Sequence, residues 1–247
     1  MTSQTAATSP ATIEILQAVL RSEAIEPMFQ PVMRLSDGAV IAYEALARFH
    51  KDTCLNPDIA FAAANEAGLG VELELLAMRR AFASLDLVPE GAYLSTNLSV
   101  EAILDPRVQD TLLAHAHRRI AVELTEHTQV FDYPGLVAIT EQLRAYGIRI
   151  AVDDAGAGFA SLSHILQLRP DIIKLDITLT SGIDIDPVRM ALARCLAGFA
   201  SDIGAMLVAE GVETEAEREK LLELGIRLGQ GYLLGRPAPL PLRDRAI

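Results

Sequence analysis

Five times between residues 92 and 211, a short apolar run ends in a polar or charged residue and gives way to a segment with helical spacing. Residues 92–96 lead to Asn97, 120–122 to Glu123, 148–152 to Asp153-Asp154, 172–173 to Lys174 and 206–209 to Glu210-Gly211. Runs rich in Val, Ile and Ala suit strands covered on both faces, and strands alternating with helices predict a parallel sheet with helices outside it. The polar ends follow many different strands instead of gathering at one switch point, and no Gly-x-Gly-x-x-Gly follows the first strand. Both facts favour a closed barrel over an open doubly wound sheet.

The rest of the chain fits around that unit. Residues 12–21 place Ile13, Leu16, Val19 and Leu20 on one face of a leading helix. Two strand-like runs, 27–35 and 40–49, flank Ser36-Asp37-Gly38. Asp-Gly between extended runs is a hairpin signal, so these first two strands are expected to be antiparallel, a departure from the regular eightfold barrel. Helices are expected over 56–67, 71–85, 106–117, 134–146, 161–168, 187–203 and 215–224. Residues 1–11, rich in Thr, Ser and Ala, read as a flexible terminus and 12–247 as one α/β domain.

The chain carries 33 acidic against 21 basic residues, a net charge of -12. Phosphate backbones attract clustered Lys and Arg, so polymeric nucleic acid is not an expected partner. A small phosphorylated ligand remains possible if metal ions supply positive charge. Cys54 and Cys195 form neither a disulfide framework nor a thiolate metal pattern, which fits a reducing cytoplasm. Nothing resembles a signal peptide, and no window of about 18 uninterrupted apolar residues predicts a membrane span. The five His residues lack metal-ligand spacing, and His115 with His117 fits a solvated helix face.

The most concentrated chemical signal is Ile150-Ala151-Val152-Asp153-Asp154-Ala155-Gly156-Ala157-Gly158, a buried strand that delivers two adjacent carboxylates to a small-residue loop. The helical run 159–168 follows, and one Asp could simply cap it. Capping needs only one carboxylate, however, and two neighbours repel. In a barrel the strand ends converge on one mouth, which gathers Asn97, Glu123, Asp153, Asp154, Lys174 and Glu210. Such oxygen donors suit Mg²⁺ or Mn²⁺, and clustered carboxylates raise one another's pKa unless cations compensate them. A carboxylate shared by two ions holds them about 4 Å apart, the arrangement that activates water and stabilises the leaving oxygen in phosphoester hydrolysis.

Glu44-Ala45-Leu46-Ala47-Arg48 heads an ordered set of further segments. They are Phe29-Gln30-Pro31-Val32, Asn97-Leu98-Ser99, Glu123-Leu124-Thr125-Glu126, Asp153-Asp154-x-Gly-x-Gly, Lys174-Leu175-Asp176, Ala209-Glu210-Gly211-Val212-Glu213 and Gln230-Gly231-Tyr232. A lone Glu-Ala-Leu carries no weight, but the whole set, from about residue 12 to 240, resembles the EAL domain family. The resemblance implies a modified TIM-like (β/α)8 barrel with an antiparallel first strand. It implies hydrolysis of cyclic di-GMP to linear pGpG with two Mg²⁺ or Mn²⁺ ions, and a homodimer formed through the helix after the Asp loop and neighbouring segments.

By the same resemblance, Glu44, Asn97, Glu123 and Asp153 would hold one ion, with Asp153 and Asp154 bridging to or holding the second. Lys174 would position the attacking water, Glu210 would act as metal ligand or general base, and Gln230 would orient water. Leu46 and Arg48 would meet the substrate, Arg48 gripping a phosphate through its planar fork. Gln30 and Pro237 would line the pocket, while Glu126 and Glu213 would steady the loop after Asp154. The plain alternatives are a Glu44–Arg48 ion pair and a Lys174–Asp176 salt bridge. The loop departs from the family at Ala155, Ala157 and Phe159, where Phe, Thr and Tyr are usual. If that change empties the second metal site, the chain is a cyclic di-GMP receptor instead of a hydrolase.

Overall fold

The opening hairpin is closed by the residues that predicted it. Gly38 adopts φ 71°, a left-handed conformation open to glycine, and its N–H donates to the Arg34 carbonyl at 2.9 Å. The Asp37 carboxylate accepts from the Ala39 N–H at 3.1 Å, so the turn satisfies its own backbone. β1 (Ile25–Arg34) and β2 (Val40–Phe49) pair antiparallel on either side of it. The computed structural model describes residues 9–53, 55–124, 132–155 and 159–241, and of residues 52, 154, 155 and 159–162 the backbone alone.

Six further strands follow: β3 (Tyr93–Leu98), β4 (Ile120–Leu124), β5 (Arg149–Ala155), β6 (Ile172–Leu175), β7 (Met206–Ala209) and β8 (Leu228–Gly229). From β2 to β8 every neighbouring pair is parallel, and β8 returns to β1 antiparallel, closing an eight-stranded barrel. The β1–β8 seam is short. It is extended where Phe29 and Ala238 exchange backbone hydrogen bonds of 2.8 and 3.1 Å. This is the modified TIM-like barrel with an antiparallel first strand that the sequence implied.

Around it lie α1 (Pro10–Ser22), α2 (Pro57–Glu66), α3 (Gly70–Phe82), α4 (Val100–Leu104), α5 (Pro106–Ala114), α6 (Tyr133–Ala145), α7 (Phe159–Leu168), α8 (Ile177–Thr180), α9 (Pro187–Ile203) and α10 (Glu215–Glu223). Strand alternation divides the side chains between two faces. Leu94, Val122, Ile150, Ile173 and Leu175 point outward and are buried with Met78, Leu112, Leu136 and Ile165 of the helices. Each such side chain contributes about 1.5–3 kcal/mol by leaving water. Ser95, Glu123 and Lys174 take the opposite phase and line the lumen, above a cavity of about 30 Å³ that reaches down to Tyr93 and Met206. A smaller cluster, including Leu16, Val19, Ala60, Leu73 and Leu76, packs α1, α2 and α3 together.

Helix ends follow their caps. The Asp186 side chain accepts from the Val188 and Arg189 N–H groups, Pro187 starts α9, and Gly204 at φ 74° ends it, as expected for 187–203. α5 stops at Ala114, short of the expected 117. The His115 ring bonds the Thr111 carbonyl at 2.8 Å and lies 5.1 Å from the Phe82 ring, so it is half-buried and not on a solvated face. Among the described residues, no helix is long and apolar enough to cross a membrane.

Candidate active site

The strand ladder runs one residue beyond β7 and β8. The Glu210 N–H donates to the Leu175 carbonyl at 3.0 Å, and the Gln230 N–H to the Ala209 carbonyl at 2.8 Å. These residues therefore leave the barrel at the same C-terminal end as Glu44 of β2, Asn97 of β3, Glu123 of β4, Asp153 of β5 and Lys174 of β6, with Asn97 paired opposite Glu123. Gln30 joins from β1, paired in register opposite Glu44. The mouth is thus built on backbone positions held by the closed sheet, with loops supplying only its rim.

Lys174 is at the centre, its side chain only 3% exposed. Its Nζ lies 2.7 Å from Glu123 Oε2, 2.7 Å from Glu210 Oε1, 3.4 Å from Glu44 Oε2 and 3.6 Å from Asp153 Oδ1. Asn97 Nδ2 donates to Glu44 Oε1 at 2.8 Å. Gln230 Nε2 donates to Glu44 Oε2 at 2.6 Å and to Gln30 Oε1 at 3.0 Å, and Gln30 Nε2 donates to the Gly235 carbonyl at 3.0 Å. Glu44 thus accepts from three different side chains.

One ammonium faces four carboxylates. Burial works to raise Glu44, but the Lys174 charge and the bonds from Asn97 and Gln230 hold it below the usual range. Burial pushes Glu123 up to about 7, reinforced by the charge of Glu44 and opposed by Lys174. Burial likewise pushes Glu210 up to about 8 against the pull of Lys174. Lys174 itself rises well above its ordinary value despite burial, because Glu123, Glu210, Glu44 and Asp153 all favour its charge. The cluster carries more negative charge than one ammonium neutralises.

That excess is what a hard cation would relieve. The donor set is carboxylate and amide oxygen, and Gln230 Oε1 is buried without a hydrogen-bond partner, a ready acceptor for water or a cation ligand. The residues therefore fit Mg²⁺ or Mn²⁺. Among the described residues, no three carboxylates are already splayed around an empty centre, since Lys174 draws them to itself. The side chain of Asp154 lies outside the described residues, as do Glu126, Ala157 and the rest of the loop at 156–158.

The other anticipated positions resolve as follows. Arg48 is not paired with Glu44; its Nη1 donates to the Ala47 carbonyl at 2.8 Å, and Leu46 is half-buried beside it in β2. Lys174 does not bridge to Asp176, which instead caps α8 by accepting from the Thr178 N–H at 2.8 Å. Pro237 precedes the Ala238 bridge to β1, and the Glu213 N–H donates to Glu217 Oε2 at 3.0 Å.

Two buried carboxylates that the motifs did not include support the rim. Glu217 accepts from the Gly182, Glu213 and Thr214 N–H groups at 2.9, 3.0 and 3.0 Å, tying the loop after Glu210 to the segment after α8. Its signal in the sequence was Thr214-x-x-Glu217, a capping box. Glu74 of α3 accepts from the Ser99 N–H at 2.7 Å, just beyond Asn97. A charge within the apolar run Leu73-Glu74-Leu75-Leu76 was its only mark.

The sequence profile of the EAL domain matches residues 13–237. The chain belongs to the EAL domain family. The bifunctional diguanylate cyclase/cyclic di-GMP phosphodiesterase MucR of Pseudomonas aeruginosa is 30% identical over 223 residues, 85% of this chain and 33% of its own length. The chain spans about a third of the length of such curated relatives. Among solved structures, a MucR phosphodiesterase in complex with cyclic di-GMP superposes with a TM-score of 0.81 at 29% identity, covering 93% of this chain and 98% of that one. A manganese and cyclic di-GMP complex of Klebsiella pneumoniae BlrP1 gives 0.77 at 31% identity, covering 87% of this EAL domain and 56% of that chain.

Proposed function

We propose that this EAL domain hydrolyses cyclic di-GMP to linear pGpG with two bound divalent cations, Mg²⁺ or Mn²⁺, in the cytoplasm. The observation that carries the reading is the over-supply of carboxylate around Lys174, since a cluster of mutually repelling groups is costly to a module that only contacts protein. The EAL relatives solved with cyclic di-GMP, one of them also with manganese, support the substrate class. The bound ions would polarise the phosphodiester and lower the pKa of the attacking water.

Glu44, Asn97, Glu123, Asp153, Asp154 and Glu210 supply the metal donors in this reading. Lys174 donates hydrogen bonds to the attacking water and stabilises negative charge as it develops. Gln230, its Nε2 engaged by Glu44 and Gln30, turns its unpartnered Oε1 toward that water. Glu210, raised by burial, takes the proton. Arg48 grips a non-bridging phosphate oxygen, Leu46, Gln30 and Pro237 form the pocket wall, and Glu126 and Glu213 steady the adjoining loops. The chain acts as a homodimer through α7 to α9, where Leu166, Ile185 and Val188 are 68%, 80% and 74% exposed.

The test is incubation with cyclic di-GMP and Mg²⁺ or Mn²⁺, with and without chelator, followed by chromatography for pGpG. Chelator-sensitive pGpG is expected. Binding measured by calorimetry without turnover would make the chain a receptor, and Ala155→Phe would then be the variant that restores hydrolysis if the altered loop is the cause. Glu44→Ala should abolish hydrolysis with the fold intact; retained activity would sink the metal assignment.

A further inference from the structure

A second cavity lies away from the mouth. A cleft of about 700 Å³ opens at the opposite end of the barrel, between the C-terminal halves of α9 and α10, with the first residues of β7 and β8 as its floor. Its walls are small and apolar, among them Ala197, Ala200, Leu222 and Ile226. Its charged lining residues are Arg34 and Arg227 alone, in a chain of net charge -12.

The barrel seam places these arginines together. Arg34 is paired in register opposite Leu228, and the Leu35 N–H donates to the Arg227 carbonyl at 2.9 Å. Arg34 meets Asp37 at 2.7 Å, whereas Arg227 is exposed and makes no ion pair among the described residues. A third guanidinium reaches the floor: Arg149 Nη1 lies 3.4 Å from Met206 Sδ. Arg149 and Arg119 also sit 4.6 and 5.1 Å from the centre of the Tyr93 ring. Of Arg34, Arg119, Arg149 and Arg227, only Arg34 has a carboxylate partner among the described residues.

We propose that this cleft binds a small organic anion, its carboxylate, sulfonate or phosphate head held between Arg34 and Arg227 and its apolar body lying between α9 and α10. Planar guanidinium forks suit such heads, and the volume is that of an ordinary ligand pocket. An occupant would rest on Met206 and Leu228, in the strands that run on to Glu210 and Gln230. The site stands on its own geometry and needs no part of the hydrolytic reading.

The probe is 1-anilinonaphthalene-8-sulfonate, titrated into the full chain at low ionic strength and followed by fluorescence. One saturable site is expected. Arg227→Glu should weaken it at least tenfold, and Ser201→Trp, which places an indole on the exposed cleft wall, should remove it. Ser201 and Arg227 are both exposed, so neither substitution reaches the core. The proposal is overturned if no saturable site is found, if both variants bind as the unaltered chain does, or if cyclic di-GMP displaces the dye, which would put it at the mouth. None of these outcomes depends on turnover.

Discussion

At the scale of residues, Lys174 decides the electrostatics of the mouth. Two carboxylates about 4 Å apart repel by about 4 kcal/mol at an effective dielectric of 20, and four share this one cation. Truncating a charge that buried partners depend on costs about 3–5 kcal/mol. Lys174→Met should therefore lower the urea midpoint of the metal-free protein by a corresponding amount, and Mn²⁺ should recover part of it by replacing the lost charge. Hydrolysis should fall by about 10²–10⁴-fold, because the donor to water and developing oxyanion is gone. Unfolding that matches the unaltered chain with chelator present would mean that Glu123 and Glu210 are already neutral and need no cation.

At the scale of elements, two rim carboxylates show how the count of backbone donors sets the sign of a titration. Burial pushes Glu74 up, and the hydrogen bonds from Ser99 do not offset it. Burial pushes on Glu217 as well, but three N–H donors and the Thr214 hydroxyl hold it below the ordinary 4.5. A raised carboxylate contributes stability that is present below its unfolded pKa and lost as pH rises through its folded value. Glu74→Gln, which keeps an oxygen for Ser99 without a charge to bury, should thus stabilise the protein at pH 7.5 by about 1 kcal/mol and do nothing at pH 4. Glu217 has the opposite sign, with stability present above 4.5 and lost as pH falls through its lowered value. Glu217→Ala should cost about 2 kcal/mol at pH 7.5, with the deficit closing in acid; urea unfolding at both pH values reads the two variants together. The same elements show what was legible. β2 and α9 were read to the residue because Asp37-Gly38, Asp186-Pro187 and Gly204 announce their ends. β8, at two residues, and α4 and α8, at five and four, are too short to display a period and were not seen. Glu123, Asp153 and Glu210 stood out as polar ends of apolar strands, whereas Arg48 and Gln230 were recognisable only through the family motifs.

At the scale of the molecule, the barrel is polar end to end, acidic at the mouth and cationic at the opposite cleft, and it bears an apolar strip on its flank. Ile177, Ile185, Val188 and Leu192, on and between α8 and α9, are 45%, 80%, 74% and 42% exposed. Val188 and Leu192 are one helical turn apart on α9, so they project from one face, and an exposed apolar patch of this kind marks a contact surface. A second copy of the chain is the simplest partner, because a two-fold axis lets one strip cover its own image. Glu217 fastens the Gly182 N–H, which lies between Ile177 and Ile185 of that strip, to the loop carrying Glu210, so hydrogen bonds join the strip to the mouth. Sedimentation of the unaltered chain should give twice the chain mass, and Ile185→Asp with Val188→Asp should give a single chain mass, since two charges would be buried without partners in each half of the interface. Both side chains are solvent-exposed in the single chain, so the double variant should keep the far-ultraviolet circular dichroism of the unaltered protein. A dimer that survives the two substitutions would move the interface elsewhere, and a chain that sediments as a monomer at every concentration would leave the strip to a different protein.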